Sequence, residues 1–367
     1  MNRVLHLIDT TGPGGAETVF VQLIRELSSD FEPVVVLRGE GWLASEIRSL
    51  GIEPLILDSK GSFNARYLRE LVRLIRRHRI NLIHAHLLGS NVYGSLAGML
   101  GGVPVIATFH GNVDVASQER LLGLKFLIIN WGASAIVSVS RQLQKALNER
   151  STLKSGKSHL IYNGVAQPDA ACAGDDLRSL LGLPAEARLV VSVGNVRSSK
   201  GYEYLVQAVP RIKDPATHFI IIGDAKPSLT EPLINQAKAL GVAERIHFMG
   251  FRKDARHLLA QADVFLLPST QEGFSLATVE AMLAGVPVVA TRSGGPEEII
   301  TSGCNGLLIA CAAPDEIANA IESTRKNPGV VKMVEKAKED AKREFSLEMM
   351  VDRYKSLYLS LMGSAGS

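Results

Sequence analysis

Short apolar runs rich in Val and Ile recur along this chain, and they constrain its fold more than any other feature. VLHLIDT, PVVVLRG, EPLILD, INLIHAH, VPVIATFHG and AIVSVS fall in the first half; RLVVSVG, HFIIIG, RIHFMG, VFLLPS and VPVVAT fall in the second. Runs of this kind read as strands buried on both faces, as in parallel sheets. The segments between them carry helical spacing, so the repeating unit is βαβ. Asn64–Arg79 illustrates it, with Leu68, Leu71, Val72 and Ile75 on one apolar stripe. Arg66, Arg69, Arg73, Arg76, Arg77 and Arg79 fall largely on its other faces, and Glu70 is its only acid.

A chain of 367 residues is too long for one ordinary core and about right for two. Gln167–Ala187 clusters small, acidic and proline residues before a strand starts afresh, so the boundary is placed there. The expected fold is α/β, with two Rossmann-like doubly wound domains over residues 1–166 and 167–345. Ligands of such sheets bind outside the carboxyl ends of the strands, which makes a cleft between the domains the expected site.

A formal net charge of +3 gives no reason to expect a nucleic-acid partner. The basic excess lies in the N-terminal half, a mild pointer to an anionic partner there. Cys172, Cys304 and Cys311 form no CxxC pair, which suggests neither a disulfide framework nor a zinc site and fits a reducing cytoplasm. The opening MNRVLHLIDT is too short an apolar run for a signal peptide. No stretch approaches the ~20 apolar residues of a membrane span. The terminal GSAGS reads as a flexible tail.

The motifs lie at strand ends. After VFLLPS comes TQEGF, then the helical SLATVEAMLAG. Ser275 suits an N-cap and Gly285 a stop. The N–H groups near Phe274, Ser275 and Leu276 would then be helix-start donors of the kind that bind phosphate, and Gly273 would let a ligand come close. Glu272 sits at the mouth of this turn. Glu280 lies more than one turn inside an apolar helix, where a carboxylate needs a partner, and ligand hydroxyls could supply one. A solvated loop acid and a structural ion pair are the ordinary alternatives for the two.

SVGNVRSSKG brings Arg197 and Lys200 beside a glycine turn, a pair suited to a diphosphate, although the P-loop spacing is absent. The first turn, DTTGPGGAE, supplies Gly12, Gly14 and Gly15, but Glu17 replaces the third glycine of a dinucleotide fingerprint. His84 and His86 end one strand and His110 the next. His110 is the better placed for a sugar hydroxyl; the other two are acceptor-side candidates. No Asp-x-Asp occurs, so a bound diphosphate would be met by Arg, Lys and a helix dipole without a metal or other cofactor.

Taken together these residues resemble the retaining glycosyltransferases of family 4, which have the GT-B fold, over nearly the whole chain. Glu272 and Glu280 fit the family's two glutamates separated by seven residues. GNVRSSKG matches its G-R-x-x-x-x-K-G segment imperfectly, since Asn195 stands where the arginine is usual; Arg197 is the candidate to take over its contact. GGAE, FHG, IYNGV around Asn163 and GVPVVAT match as well.

The resemblance implies a nucleotide-diphospho-sugar donor on the C-terminal domain. Asn195, Arg197, Lys200, Gly273, Phe274, Ser275 and Leu276 would line its diphosphate, with Gly14 and Gly15 approaching from the other side. Glu280 would take the ribose, and Glu272 and His110 the transferred sugar. It further implies metal-independent transfer with retention, and a C-terminal helix at about 346–362 that packs on the first domain. The base stays open among uracil, guanine and adenine, with a UDP-sugar favoured. The acceptor is expected to be a saccharide or lipid-linked saccharide of envelope or exopolysaccharide synthesis. The Arg-rich helix and residues 120–131 suggest peripheral contact with an anionic inner membrane face. A sugar-nucleotide epimerase or phosphorylase, an NAD-dependent oxidoreductase and a non-enzymatic scaffold are the competing classes.

Overall fold

A computed structural model describes residues 1–58, 63–111, 121–149, 155–167 and 175–363. Cys172, Arg120, residues 168–174 of the boundary segment and residues 364–367 of the tail lie outside these. The chain divides into two compact units, Met1–Gly164 with Glu348–Ser367, and Val165–Leu347.

The first unit holds β1 (Asn2–Ile8), β2 (Phe31–Leu37), β3 (Leu55–Ile56), β4 (Leu82–His86), β5 (Val105–Phe109), β6 (Ala135–Ser138) and β7 (Ser158–Leu160). All pair in parallel in the order β3-β2-β1-β4-β5-β6-β7. The second holds β8 (Arg188–Val193), β9 (Thr217–Ile222), β10 (Ile246–Gly250), β11 (Val264–Leu267), β12 (Val288–Thr291) and β13 (Leu307–Ile309), parallel in the order β10-β9-β8-β11-β12-β13. Each sheet starts at a central strand, builds outward, then returns and builds the other way. This is the Rossmann order, and it leaves a crevice where the direction reverses: beside β1 and β4 in one unit, beside β8 and β11 in the other.

The apolar runs are the reason. The central strands lack the alternation of a half-exposed strand: Val4, Leu5, Leu7 and Ile8, Val190 and Val191, and Phe265 and Leu266 are at most 1% exposed. Only helices on both faces can cover such strands. The Arg-rich helix runs Ala65–Arg77 and buries Tyr67, Leu71 and Ile75, with Leu68 and Val72 packed beside them. Asn64 caps it, its side chain accepting the Tyr67 N–H at 3.0 Å. The final helix, Leu347–Gly363, belongs to the first unit from Glu348 onward. Its stripe of Met350, Tyr354 and Leu357 is buried together with Tyr358, and Lys355 reaches Asp30 at 2.7 Å.

Candidate active site

The loops that follow β8 and β11 leave the second sheet at its reversal point, side by side. A backbone bond from Thr270 N–H to the Ser199 carbonyl, 2.8 Å, ties them together. The β11 loop is pinned from its other side too. Glu272 N–H donates to the Ser293 carbonyl at 2.8 Å and its own carbonyl accepts from Gly295 N–H at 3.0 Å. A Cβ on Gly295 would lie 2.8 Å from Phe274 Cα and 2.9 Å from the Gly273 carbonyl, so only glycine lets the two segments close. Gly294 N–H is held by the Glu297 carboxylate at 2.5 Å. Sequence reading passed over this SGGPEE stretch, whose dense Gly-Gly-Pro was the available signal.

Ser275 then caps the helix Leu276–Ala284. Its hydroxyl accepts the Thr278 N–H at 3.3 Å and the Thr278 hydroxyl at 2.9 Å. Gly285, at φ +76°, ends the helix in the left-handed conformation. The N–H groups at a helix start have no acceptor inside it, and here they open beside Glu272. The Phe274 ring turns away, 5.6 Å from Phe345, so this residue offers a ligand its backbone alone.

The central contact is between two predicted residues that lie 72 positions apart. Lys200 Nζ is 2.5 Å from Glu272 Oε1, and Ser269 Oγ donates to the same oxygen at 2.7 Å. The lysine and glutamate side chains are only 21% and 10% exposed. Gly194 makes room: a Cβ there would lie 3.1 Å from Lys200 Cε and 3.2 Å from Nζ. Arg197 is exposed and forms no ion pair among the described residues. Asn195 faces elsewhere, its side-chain oxygen accepting the Asp224 N–H at 2.9 Å across the neighbouring β9 loop.

Glu280 is partly buried on the same helix, and burial raises its pKa above the usual carboxylate range while Arg256 opposes the shift. Arg256 Nε lies 3.5 Å from Glu280 Oε1, and the guanidinium also donates to the Ala166 carbonyl. Arg256 is the partner that sequence reading left unnamed; it sits well upstream on another short helix and carries no local signature.

The first unit treats its polar residues differently. Gly14 is the N-cap of the helix Gly15–Leu27, and the Glu17 carboxylate occupies the space where a Cβ on Gly14 would sit. Gly14 is half-buried and Gly15 exposed. Asp9 turns to the start of the helix Leu88–Gly101, whose Gly89 and Ser90 N–H groups it accepts, and burial raises its pKa.

The histidines require a correction. His84 and His86 are both 0% exposed, so neither offers a surface to an acceptor. His84 lies between the Tyr358 hydroxyl, 2.6 Å from Nδ1, and the Thr108 hydroxyl, 2.9 Å from Nε2. His86 Nδ1 is 2.9 Å from His110 Nε2, and the Phe20 ring meets His86 edge to face at 5.2 Å. They are core residues, buried because the C-terminal helix brings Tyr354 and Tyr358 over the sheet. His110 is the only one of the three with partial exposure. Burial lowers its pKa to about 4, so its imidazole is neutral at physiological pH.

The geometry finds its counterpart among known proteins. The model for glycosyl transferases group 1 matches residues 175–344, and that for Glycosyltransferase Family 4 matches residues 13–166. The lipopolysaccharide core biosynthesis glycosyltransferase LpsE of Rhizobium meliloti is 27% identical over 362 residues, 95% of this chain and 96% of its own length. The UDP-Gal:alpha-D-GlcNAc-diphosphoundecaprenol alpha-1,3-galactosyltransferase of Escherichia coli is 23% identical over 88% of this chain and 86% of its own. The crystal structure of Anabaena Alr3699/HepE in complex with UDP-glucose superposes with a TM-score of 0.88 at 25% identity, covering 98% of this chain and 99% of that one. With both units matched and the fold shared, this chain belongs to the family 4 glycosyltransferases of the GT-B fold.

Proposed function

We propose that the protein is a retaining, metal-independent glycosyltransferase of cell-envelope or exopolysaccharide synthesis. It takes a sugar from a nucleotide-diphospho-sugar, a UDP-sugar first among them, and transfers it to a saccharide or lipid-linked saccharide at the cytoplasmic side of the membrane. The observation that carries this reading is the convergence of Lys200, Glu272 and the Leu276 helix start at the reversal point of the second sheet. Relatives named for lipopolysaccharide core synthesis and for transfer from UDP-Gal support the substrate class, as does a relative crystallised with UDP-glucose.

The chemistry follows from charge. Glycosyl transfer develops positive charge on the sugar and negative charge on the departing diphosphate. Lys200, Arg197 and the N–H groups at the Leu276 helix start would stabilise that diphosphate, pre-aimed and at little reorganisation cost. Glu272 accepts hydroxyls of the transferred sugar and Glu280 those of the ribose. The acceptor hydroxyl attacks from the leaving-group face, which retains the anomeric configuration. His110, neutral, is assigned to the sugar side.

Calorimetric titration with UDP, GDP, ADP and NAD in EDTA, on wild type and Glu280→Ala, tests the reading. One nucleoside diphosphate should bind, roughly tenfold more weakly to the variant, as expected for a lost charge-assisted hydrogen bond. Binding by NAD alone, or by none of the four, would sink it.

A second observation bears on where the acceptor is met. The helix Leu122–Gly132 turns Leu124, Leu127 and Trp131 outward, 51%, 44% and 74% exposed, beside Met99 and Leu100 of the adjoining helix Leu88–Gly101. An outward face at this spacing is normally polar. The next helix in the same row, Ala65–Arg77, exposes Arg66, Arg69, Arg73, Arg76 and Arg77, and its one acid is spent on Arg73 at 2.5 Å. Exposed apolar side chains in the same row as a helix with an excess of guanidinium groups suit an anionic bilayer surface. Among the described residues no helix is long and apolar enough to cross a membrane. The protein should float with phosphatidylglycerol vesicles at low salt and Trp131→Asp should not. Indifference of the wild type to these vesicles would end the membrane proposal.

A further inference from the structure

The cation assigned above to the diphosphate and the carboxylate assigned to the sugar hold each other. Lys200 Nζ and Glu272 Oε1 are 2.5 Å apart, and the only other bond on that carboxylate among the described residues is the neutral Ser269 hydroxyl at 2.7 Å. Gly194 seats the lysine stem, and the backbone on both sides of Glu272 is pinned to the Ser293–Gly295 segment. The pinned backbone limits how far the carboxylate can follow a departing lysine, and at 10% exposure it has little water to fall back on.

We infer that this pair makes the site prefer the sugar-bearing donor over the bare nucleoside diphosphate that transfer leaves behind. The inference rests on the donor reading above. A diphosphate that draws Lys200 away strips Glu272 of its cation and brings further negative charge beside it. Removing one partner of a buried pair is costly because the other charge stays behind uncompensated, and like charges at close range add to the cost. An intact donor supplies the remedy, since its sugar hydroxyls donate to Glu272 in place of the lysine. Once the sugar has been transferred, those donors are gone. Lys200 is then better satisfied by Glu272 than by the diphosphate, and product leaves. Glu272 thus acts twice, as a hydroxyl acceptor for the donor and as a restraint on product retention.

The consequence is a gain of affinity from loss of a site residue, which a sugar-contacting role alone does not give. UDP and UDP-glucose are titrated calorimetrically into wild type, Glu272→Gln, Lys200→Met and the double variant. Glu272→Gln should bind UDP roughly tenfold more tightly than wild type while its affinity for UDP-glucose fails to rise, so the preference for the intact donor collapses. In the Lys200→Met background the same substitution should give little or no gain, because the restraint acts through the lysine. UDP binding to Glu272→Gln that is unchanged or weaker overturns the inference and leaves the donor reading standing. An equal gain with and without Lys200 also overturns it, since simple charge repulsion needs no lysine. Wild type that binds neither UDP nor UDP-glucose overturns the choice of a UDP-sugar as donor, and this inference with it.

Discussion

The two units share one strand order and use its crevice in opposite ways. At the reversal point of the second sheet, charged side chains stand at the mouth: Lys200, Glu272 and Arg197 on two tied loops. At the equivalent place in the first sheet, polar groups are turned inward. Asp9 occupies a helix start, Glu17 lies over Gly14, and His84 and His86 are sealed in a row with Thr108, Tyr354 and Tyr358. Topology therefore provides the place, and local residues decide whether an anion is welcome there. One sheet keeps charged side chains at its mouth, and the other turns its polar groups into the core.

That contrast is most easily broken at Lys200. Lys200→Ala should lower kcat/KM for transfer by about 10²–10³-fold, the range seen when one preorganised charge is removed from a transition-state site. Steady-state kinetics checks this, and a loss below about fivefold would mean that the charged mouth is not where the diphosphate departs. No comparable loss should follow substitution at His84, whose effect belongs to stability. His84→Ala empties a fully buried position, strands the Tyr358 hydroxyl and leaves the Thr108 hydroxyl only its 3.4 Å contact with Tyr354, for an expected cost of about 2–4 kcal/mol. Denaturant unfolding of the variant tests it.

The buried histidines also make the two units differ in acid. Burial lowers the pKa of His6 to about 3 and of His110 to about 4, from an ordinary 6.5, and holds those of His84 and His86 well below the ordinary value too. Below pH 6.5 the unfolded chain binds protons at these sites while the folded chain does not. Stability therefore rises with pH through this window and is lost as pH falls from about 6.5 toward 4, by up to about 1.4 kcal/mol per pH unit for each histidine. The second unit has only His218 and His247 shifted the same way, and both are partly exposed. Acid should thus loosen the first unit before the second. Hydrogen exchange at pH 7 and pH 5 would show it as lost protection in β4 and β5 with β8 and β11 unchanged; equal loss in both sheets would refute the contrast.

What could be read from the sequence divides along the same physical line. Apolar strands in the middle of a sheet, such as Val264–Leu267 and the Leu189–Val191 stretch of Arg188–Val193, announce themselves because both faces are buried. The edge strands Ser158–Leu160 and Leu307–Ile309 do not, being three residues long and partly exposed. Within the site, the Ser275 cap and Gly285 stop were legible because each acts on neighbours three or four residues away. The spacing of Glu272 and Glu280 was legible for the same reason. The Lys200–Glu272 pair, the Arg256–Glu280 pair and the burial of His84 by Tyr358 join residues far apart in the chain, and composition cannot foretell which distant partners a fold brings together. A histidine at a strand end looks the same in a sequence whether a tyrosine 274 residues away covers it or not.

The smallest expected effects separate the two residues of the GNVR segment. Arg197, exposed and without an ion pair among the described residues, has little to stabilise in the free protein, so Arg197→Ala should leave unfolding within about 0.5 kcal/mol. It should nevertheless weaken binding of UDP by roughly three- to tenfold, with the difference shrinking as salt is raised. Asn195 should behave in the reverse way. Its oxygen holds the Asp224 N–H at 2.9 Å, and Asn195→Ala removes that bond at a cost of about 0.5–1.5 kcal/mol while affinity for UDP changes little. Measuring both variants by calorimetry and by thermal unfolding places the phosphate contact on one residue or the other. If Asn195→Ala proves the more damaging to UDP binding, Asn195 carries the phosphate contact and Arg197 is ordinary surface charge.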